Sequence, residues 1–134
     1  MTKQSWIGSI ILSLAFAAAP PAVIADAVAF KEVKLYSRSS PNSKPNKREG
    51  FLNLDKIGKA IVFVAENRVL LTIPYPWVKN LNYEPKNDHL LTVQYQDDKD
   101  QGQFAQFELS GSNRDQILAS IEADTTVKVT RVSN

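Results

Sequence analysis

Residues 89–109 read HLLTVQYQDDKDQGQFAQFEL. In the first arm His89, Leu91, Val93 and Tyr95 alternate with Leu90, Thr92, Gln94 and Gln96. A period of two marks a strand with one face buried. The second arm sets Ala105, Phe107 and Leu109 against Gln106 and Glu108. Between the arms, Asp97 to Gly102 is rich in residues that turn a chain, so the stretch predicts a β-hairpin. Phe104 falls out of phase and is expected to cover an edge.

Upstream the same texture continues to Gly50. Phe51, Leu52 and Leu54 begin a strand, and Ile61 to Ala65 is a short β-branched and aromatic run that predicts a buried one. Glu66-Asn67-Arg68 predicts a turn, with Asn67 tolerant of positive φ. Val69 to Ile73 returns as a further strand. Pro74 and Pro76 stop it or hold it at an edge, because neither can donate to a ladder. Trp77, Val78 and Leu81 form a short apolar piece. Before Gly50, Ser37 to Arg48 (SRSSPNSKPNKR) is a loop, broken by Pro41 and Pro45. Val28 to Tyr36 is then either a first strand or a tail. After the hairpin, Ser112 with Asp115 resembles a capping box. Ile117, Leu118 and Ile121 share one helical face as far as about Ala123, and Val127 with Val129 predicts a short last strand. No internal repeat and no second domain is visible.

The succession is more telling than any single element. Gly50-Phe51-Leu52-x-Leu54, a strand ending near Phe63, Thr72-Ile73-Pro74-Tyr75 and Trp77-Val78-x-x-Leu81-x-Tyr83 come first. Leu90-Leu91-Thr92-Val93-x-Tyr95, Phe104-x-x-Phe107-x-Leu109 and the helix follow. Over about residues 50–124 this pattern resembles the pleckstrin-homology-like superfold, in particular its GRAM-type and bacterial members. The resemblance implies a mainly β (α+β) fold, a small antiparallel barrel or sandwich with one C-terminal helix, used mostly as a binding scaffold. It does not carry phosphoinositide binding over, because the turn at Glu66-Asn67-Arg68 has one base and one acid. A strand after the helix also departs from the family pattern.

Residues 1–27 carry the pattern of a cleavable export signal: Lys3, an apolar stretch from Trp6 to Ala19, then small residues. Cleavage after Ala25 or after Ala27 both fit, and an uncleaved anchor is the alternative. Residues 28–134 are then a single small β-rich domain, large enough for a core. The chain has no cysteine, which excludes disulfides, a thiolate zinc site and a lipidated cysteine. The formal net charge is +2, yet eight Lys/Arg face three acids over residues 31–59, and nine Asp/Glu face three bases over 84–124. Such asymmetry marks either an anionic partner or two halves that simply face solvent or each other.

For catalysis, His89 is the one histidine, no Gly-x-Ser-x-Gly elbow surrounds a serine, and no paired carboxylates stand at a legible spacing. No catalytic residue is assigned. Asp98-x-Asp100-x-Gly102 opens like a calcium loop, but Leu109 stands where the closing glutamate belongs, so no metal or other cofactor is expected. No Gly-rich phosphate loop and no basic stripe with stacking aromatics for nucleic acid occurs. Two candidate binding features remain. The first is the cationic loop and its flanks, Lys31, Lys34, Arg38, Lys44, Lys47 and Arg48, with Lys44, Lys47 and Arg48 as its centre. It is set either against an anionic envelope component or as a solvated loop. The second is Tyr75-Pro76-Trp77, an aromatic platform or a tryptophan packed over the barrel end.

The expectation is an exported, periplasmic or extracellular, non-catalytic binding or structural module of the bacterial cell envelope, recognising a partner protein or an anionic surface. A small hydrolase or lyase using Asp97, Asp98, Glu84 or Glu108 is the competing reading. A membrane-tethered accessory protein with its first helix retained is the other.

Overall fold

The computed structural model describes residues 27–37 and 43–132. Residues 1–26 of the expected export signal, and Arg38, lie outside the described residues. Strands β1 (Ala27–Ser37), β2 (Asn46–Asp55), β3 (Ala60–Ala65) and β4 (Arg68–Pro74) follow one another as antiparallel neighbours. A 3-10 turn, Tyr75–Trp77, leads to β5 (Val78–Glu84), β6 (Leu90–Gln96) and β7 (Gly102–Leu109), again antiparallel. Helix α1 (Arg114–Thr125) and a short β8 (Val129–Arg131) end the described chain. The strand order is β4-β3-β2-β1-β7-β6-β5-β8. Two meanders are thus joined through β1, with β4 at one edge and β8 at the other.

Local chemistry explains the joins. Glu66 and Asn67 adopt φ of 54° and 63°, which puts both residues between β3 and β4 in the left-handed region. That is the geometry of a two-residue hairpin turn whose twist matches the strands. Asp55 accepts hydrogen bonds from the Ile57 and Gly58 N–H groups at 3.1 and 2.8 Å, shaping the β2–β3 loop. Asp97 does the same for Lys99 and Gln101, both at 2.9 Å, so the acidic turn of the 89–109 hairpin is built around one carboxylate.

Val28 to Tyr36 is a strand, not a tail, and it is the seam of the sheet. Its register slips between Phe30 and Val33, where Glu32 has a φ of 63°. A bulge of this kind bends a strand and sharpens its twist. Only the part after it, Val33–Tyr36, also pairs with β7. The expected loop at 37–48 is shorter than read: Asn46, Lys47 and Arg48 pair with Ser37, Tyr36 and Leu35. The proline-rich composition was outweighed at that end by a partner strand that supplies the ladder.

One core lies between the meanders and under the helix. Phe63 from β3 and Phe107 from β7 meet with ring centroids 6.0 Å apart, tilted by 43°. Leu52, Leu54, Ile73 and Leu91 are fully enclosed around them. Ile117, Leu118 and Ile121 enter the same cluster from α1. Each such side chain contributes about 1.5–3 kcal/mol by leaving water.

The ends of α1 differ from the reading of the sequence. Its N-cap is Asn113, and no side chain caps it; Ser112 takes no part. At the other end Thr126 turns left-handed at φ 61°, its N–H returning to the Glu122 carbonyl at 3.0 Å. Thr125 donates to the Ile121 carbonyl at 2.7 Å and accepts from Val127 N–H at 3.2 Å. Val127 is therefore held in the cap, and the last strand starts at Val129, whose N–H is taken by the Glu122 carboxylate at 2.7 Å. β8 runs parallel to β5, an exception to the expected antiparallel sheet.

Candidate functional site

The cationic residues are dispersed. Lys44 is exposed before β2. Lys47 and Arg48 are successive residues of β2, and side chains of successive strand residues point to opposite faces. Lys47 reaches the Glu108 carboxylate at 3.1 Å and lies 5.1 Å from the centre of the Tyr36 ring. Arg48 stands 3.6 Å from Glu66, both well exposed, a pairing that contributes little.

Glu108 collects the strongest electrostatics on the sheet. It is 8% exposed, accepts the Tyr36 hydroxyl at 2.7 Å, and has Lys34 at 3.6 Å beside Lys47. The Tyr36 hydrogen bond first, then that of Lys47 and the two ammonium charges, hold its carboxyl below the usual range against the effect of burial. Burial and the same hydrogen bond push Tyr36 up. The Glu108 and Tyr36 hydrogen bonds keep Lys47 charged to higher pH. These groups satisfy one another across β1, β2 and β7.

Tyr75, Pro76 and Trp77 also part company. Tyr75 is buried and donates to Asp124 of α1 at 3.1 Å, while Lys56 holds the other oxygen of that carboxylate at 3.3 Å. Burial, then the Asp124 charge, raise the Tyr75 hydroxyl strongly. Tyr75 thus ties the 3-10 turn to the helix end. Pro76 is exposed, and Trp77 is half-buried against Tyr95, ring centroids 6.3 Å apart and 12° from parallel. His89 sits at φ 53° with Nδ1 2.9 Å from the Tyr83 hydroxyl. Among the described residues no three His, Asp or Glu side chains gather as a metal site.

Two surfaces were not found from the sequence. On the outer face of the first meander, Phe51, Val64 and Val69 are successive cross-strand partners from β2 through β3 to the edge strand β4. Phe51 is 50% and Val69 59% exposed. The signal was present for Phe51, which is out of phase with Leu52 and Leu54. It was hidden for Val69, because a bulge opposite Phe63 and Val64 makes Val69-Leu70-Leu71 look continuous. On the second meander, Phe104 is 64% exposed over Gln94, its direct partner on β6, instead of covering an edge. An open groove of about 360 Å³ runs beside it, bordered by Lys79, Gln96 and Gly102. A second hollow, about 500 Å³, lies between Lys59, Pro76 and the end of α1.

No protein-family model and no curated protein matches the chain. Solved structures do match. One, the Spt16D–Pob3N heterodimer, superposes with a TM-score of 0.56 at 7% identity, over 80% of this chain and 54% of that one. The chain spans about half the length of that structure. At such identity the likeness is one of fold alone, and it agrees with the strand order and closing helix: the fold is pleckstrin-homology-like.

Proposed function

We propose that the protein is an exported, non-catalytic binding module of the bacterial cell envelope, a GRAM-type member of its fold, that takes an extended segment of a partner protein along β4. The observation that carries this reading is the open edge of β4 with the apolar row Phe51–Val64–Val69 leading to it. An edge strand offers unpaired backbone groups to an added strand, and neighbouring exposed apolar side chains supply specificity. The engagement of Glu108 with Tyr36 and of Asp97 with its own turn supports a scaffold role for two of the four carboxylates named in the competing hydrolase reading.

The test is site-specific photo-crosslinking in the native envelope, with the photoreactive residue at position 69, 71 or 98. A discrete adduct from 69 and 71, absent from 98 and lost when Phe51→Ser is added, is the expected outcome. Adducts of equal yield from all three positions, or none from the edge, would refute it. Sedimentation with anionic vesicles at low and high salt examines the anionic-surface alternative through Lys44. Salt-sensitive pelleting there, without crosslinks at the edge, would replace one reading with the other.

A further inference from the structure

The outer face of β5, β6 and β7 combines three features. Phe104 presents an exposed ring, and Gln94 lies directly across from it. One step along the strands, Gln96 faces Gly102. A Cβ added at Gly102 would meet nothing within 4 Å, so the flank of the Phe104 ring is left open beside the groove. At the β5 side, Lys79 stands where the register slips between Val78 and Asn80. Among the described residues, Gln94, Gln96 and Lys79 commit no side-chain hydrogen bond or ion pair to a neighbour. Gln103 donates its amide N–H to Asp97 at 3.2 Å, which leaves its carbonyl oxygen to accept.

We propose that this groove binds a glycan: an N-acetylated amino-sugar chain bearing sparse carboxylates, with one pyranose face on Phe104, its hydroxyl and acetamido groups on Gln94 and Gln96, and a carboxylate on Lys79. A pyranose ring has an apolar C–H face and a rim of groups that both donate and accept. An aromatic ring suits the first. A primary amide, with two donors and two acceptor lone pairs, suits the second without adding charge. Charge decides among ligands. A polyanion needs several cations along its path, and the groove has Lys79 alone. A protein anchor wants an enclosed pocket, and this groove is open, with three glutamines beside Phe104, Tyr95, Gly102 and Lys79. One cation among neutral amides complements a chain with one carboxylate for every two or more rings. The site lies on the second meander, away from β4, and stands or falls independently of the protein-binding edge.

The experiment is a titration of the purified protein with two probes, followed by backbone amide shifts and Trp77 emission, Trp77 being stacked on the groove residue Tyr95. The first probe is an N-acetylglucosamine–N-acetylmuramic acid tetramer, and the second a neutral N-acetylglucosamine pentamer. Saturable binding of the tetramer with Kd of about 0.1–1 mM and shifts centred on residues 94–104 are expected. Phe104→Ala should weaken both probes about tenfold. Gly102→Leu should block the groove with little change in melting temperature, since a Cβ at this position meets no atom within 4 Å and the branched end extends into the open groove. Lys79→Gln should weaken the tetramer a few-fold and leave the pentamer unchanged. No saturable shift at about 10 mM glycan, shifts elsewhere on the surface, or binding indifferent to both Phe104→Ala and Gly102→Leu would each overturn the proposal.

Discussion

Replacing Glu108 by glutamine tests how the two meanders are held together on their outer face. Glu108 of β7 takes a hydrogen bond from Tyr36 of β1 at 2.7 Å and one from Lys47 of β2 at 3.1 Å. It is the one buried carboxylate among the described residues. A hydrogen bond to a charged acceptor contributes about 1.5–3 kcal/mol and a neutral one about 1. Glutamine keeps an acceptor for Tyr36 but not the charge, so that bond alone loses about 1 kcal/mol. The lysines are 34% and 41% exposed, and solvent screening leaves each contributing little. The expected loss at pH 7 is about 1–2 kcal/mol. Glu108→Ala, which leaves the hydroxyl of Tyr36 without its acceptor, should lose more, about 2–4 kcal/mol.

The sign of the pH dependence follows from the lowered pKa. A carboxyl whose folded value lies below its ordinary 4.5 contributes stability that is fully present above that value. The contribution is lost as pH falls through the folded value. Urea unfolding of both proteins at pH 7 and near pH 3 should therefore show the wild type's advantage shrinking on acidification. Tyr36, raised by burial and by Glu108, behaves in the opposite sense: its contribution is present below pH 10 and is lost as pH rises through the folded value. Equal stability of the two proteins at pH 7, or a difference that does not move with pH, would refute the electrostatic account.

Gly50→Ala should lose about 2–4 kcal/mol, because the new methyl collides with the Val64 carbonyl oxygen and crowds the Phe63 ring; a fall in melting temperature of more than about 8 °C checks it. Ile121→Ala, fully enclosed in α1, should lose about 2–5 kcal/mol by denaturant titration, whereas Ile57→Ala, at 68% exposure, should change stability by less than about 0.5 kcal/mol.

What could be read from the sequence was local and periodic. The 89–109 hairpin announces itself because Leu91, Val93, Ala105 and Phe107 alternate with polar residues and all four are buried. The helix was legible by the spacing of Ile117, Leu118 and Ile121, but not its caps: Asn113 makes no side-chain bond, so nothing at the N-terminus distinguishes it from Ser112. β1 was ambiguous because its regularity depends on β2 and β7, and its bulge at Glu32 interrupts the alternation. The Glu108 cluster could not be seen at all. Its partners are 72 and 61 residues away, and nothing in a strand pattern says that an outward glutamate will be covered. Lys47 and Arg48, adjacent in sequence, looked like one basic patch; strand geometry sends them to different partners.

The bulged strand β1 gives the molecule its division of surfaces. Before the bulge β1 belongs to the first meander alone, and after it to both. The chain therefore folds one continuous sheet into two faces around one core, with apolar side chains directed inward from each. The outward faces are left chemically different: Phe51, Val64 and Val69 on one, and the amides around Phe104 on the other. The Glu108 cluster lies where the meanders meet, between these two surfaces. Its one carboxylate is paired with two ammonium groups, so a single net positive charge is left between the two surfaces. A packed core fixes both faces in the same way whatever they display. The difference between them is thus a property of the exposed residues, free to vary without cost to the fold, and it is there that a function distinct from the architecture can be written.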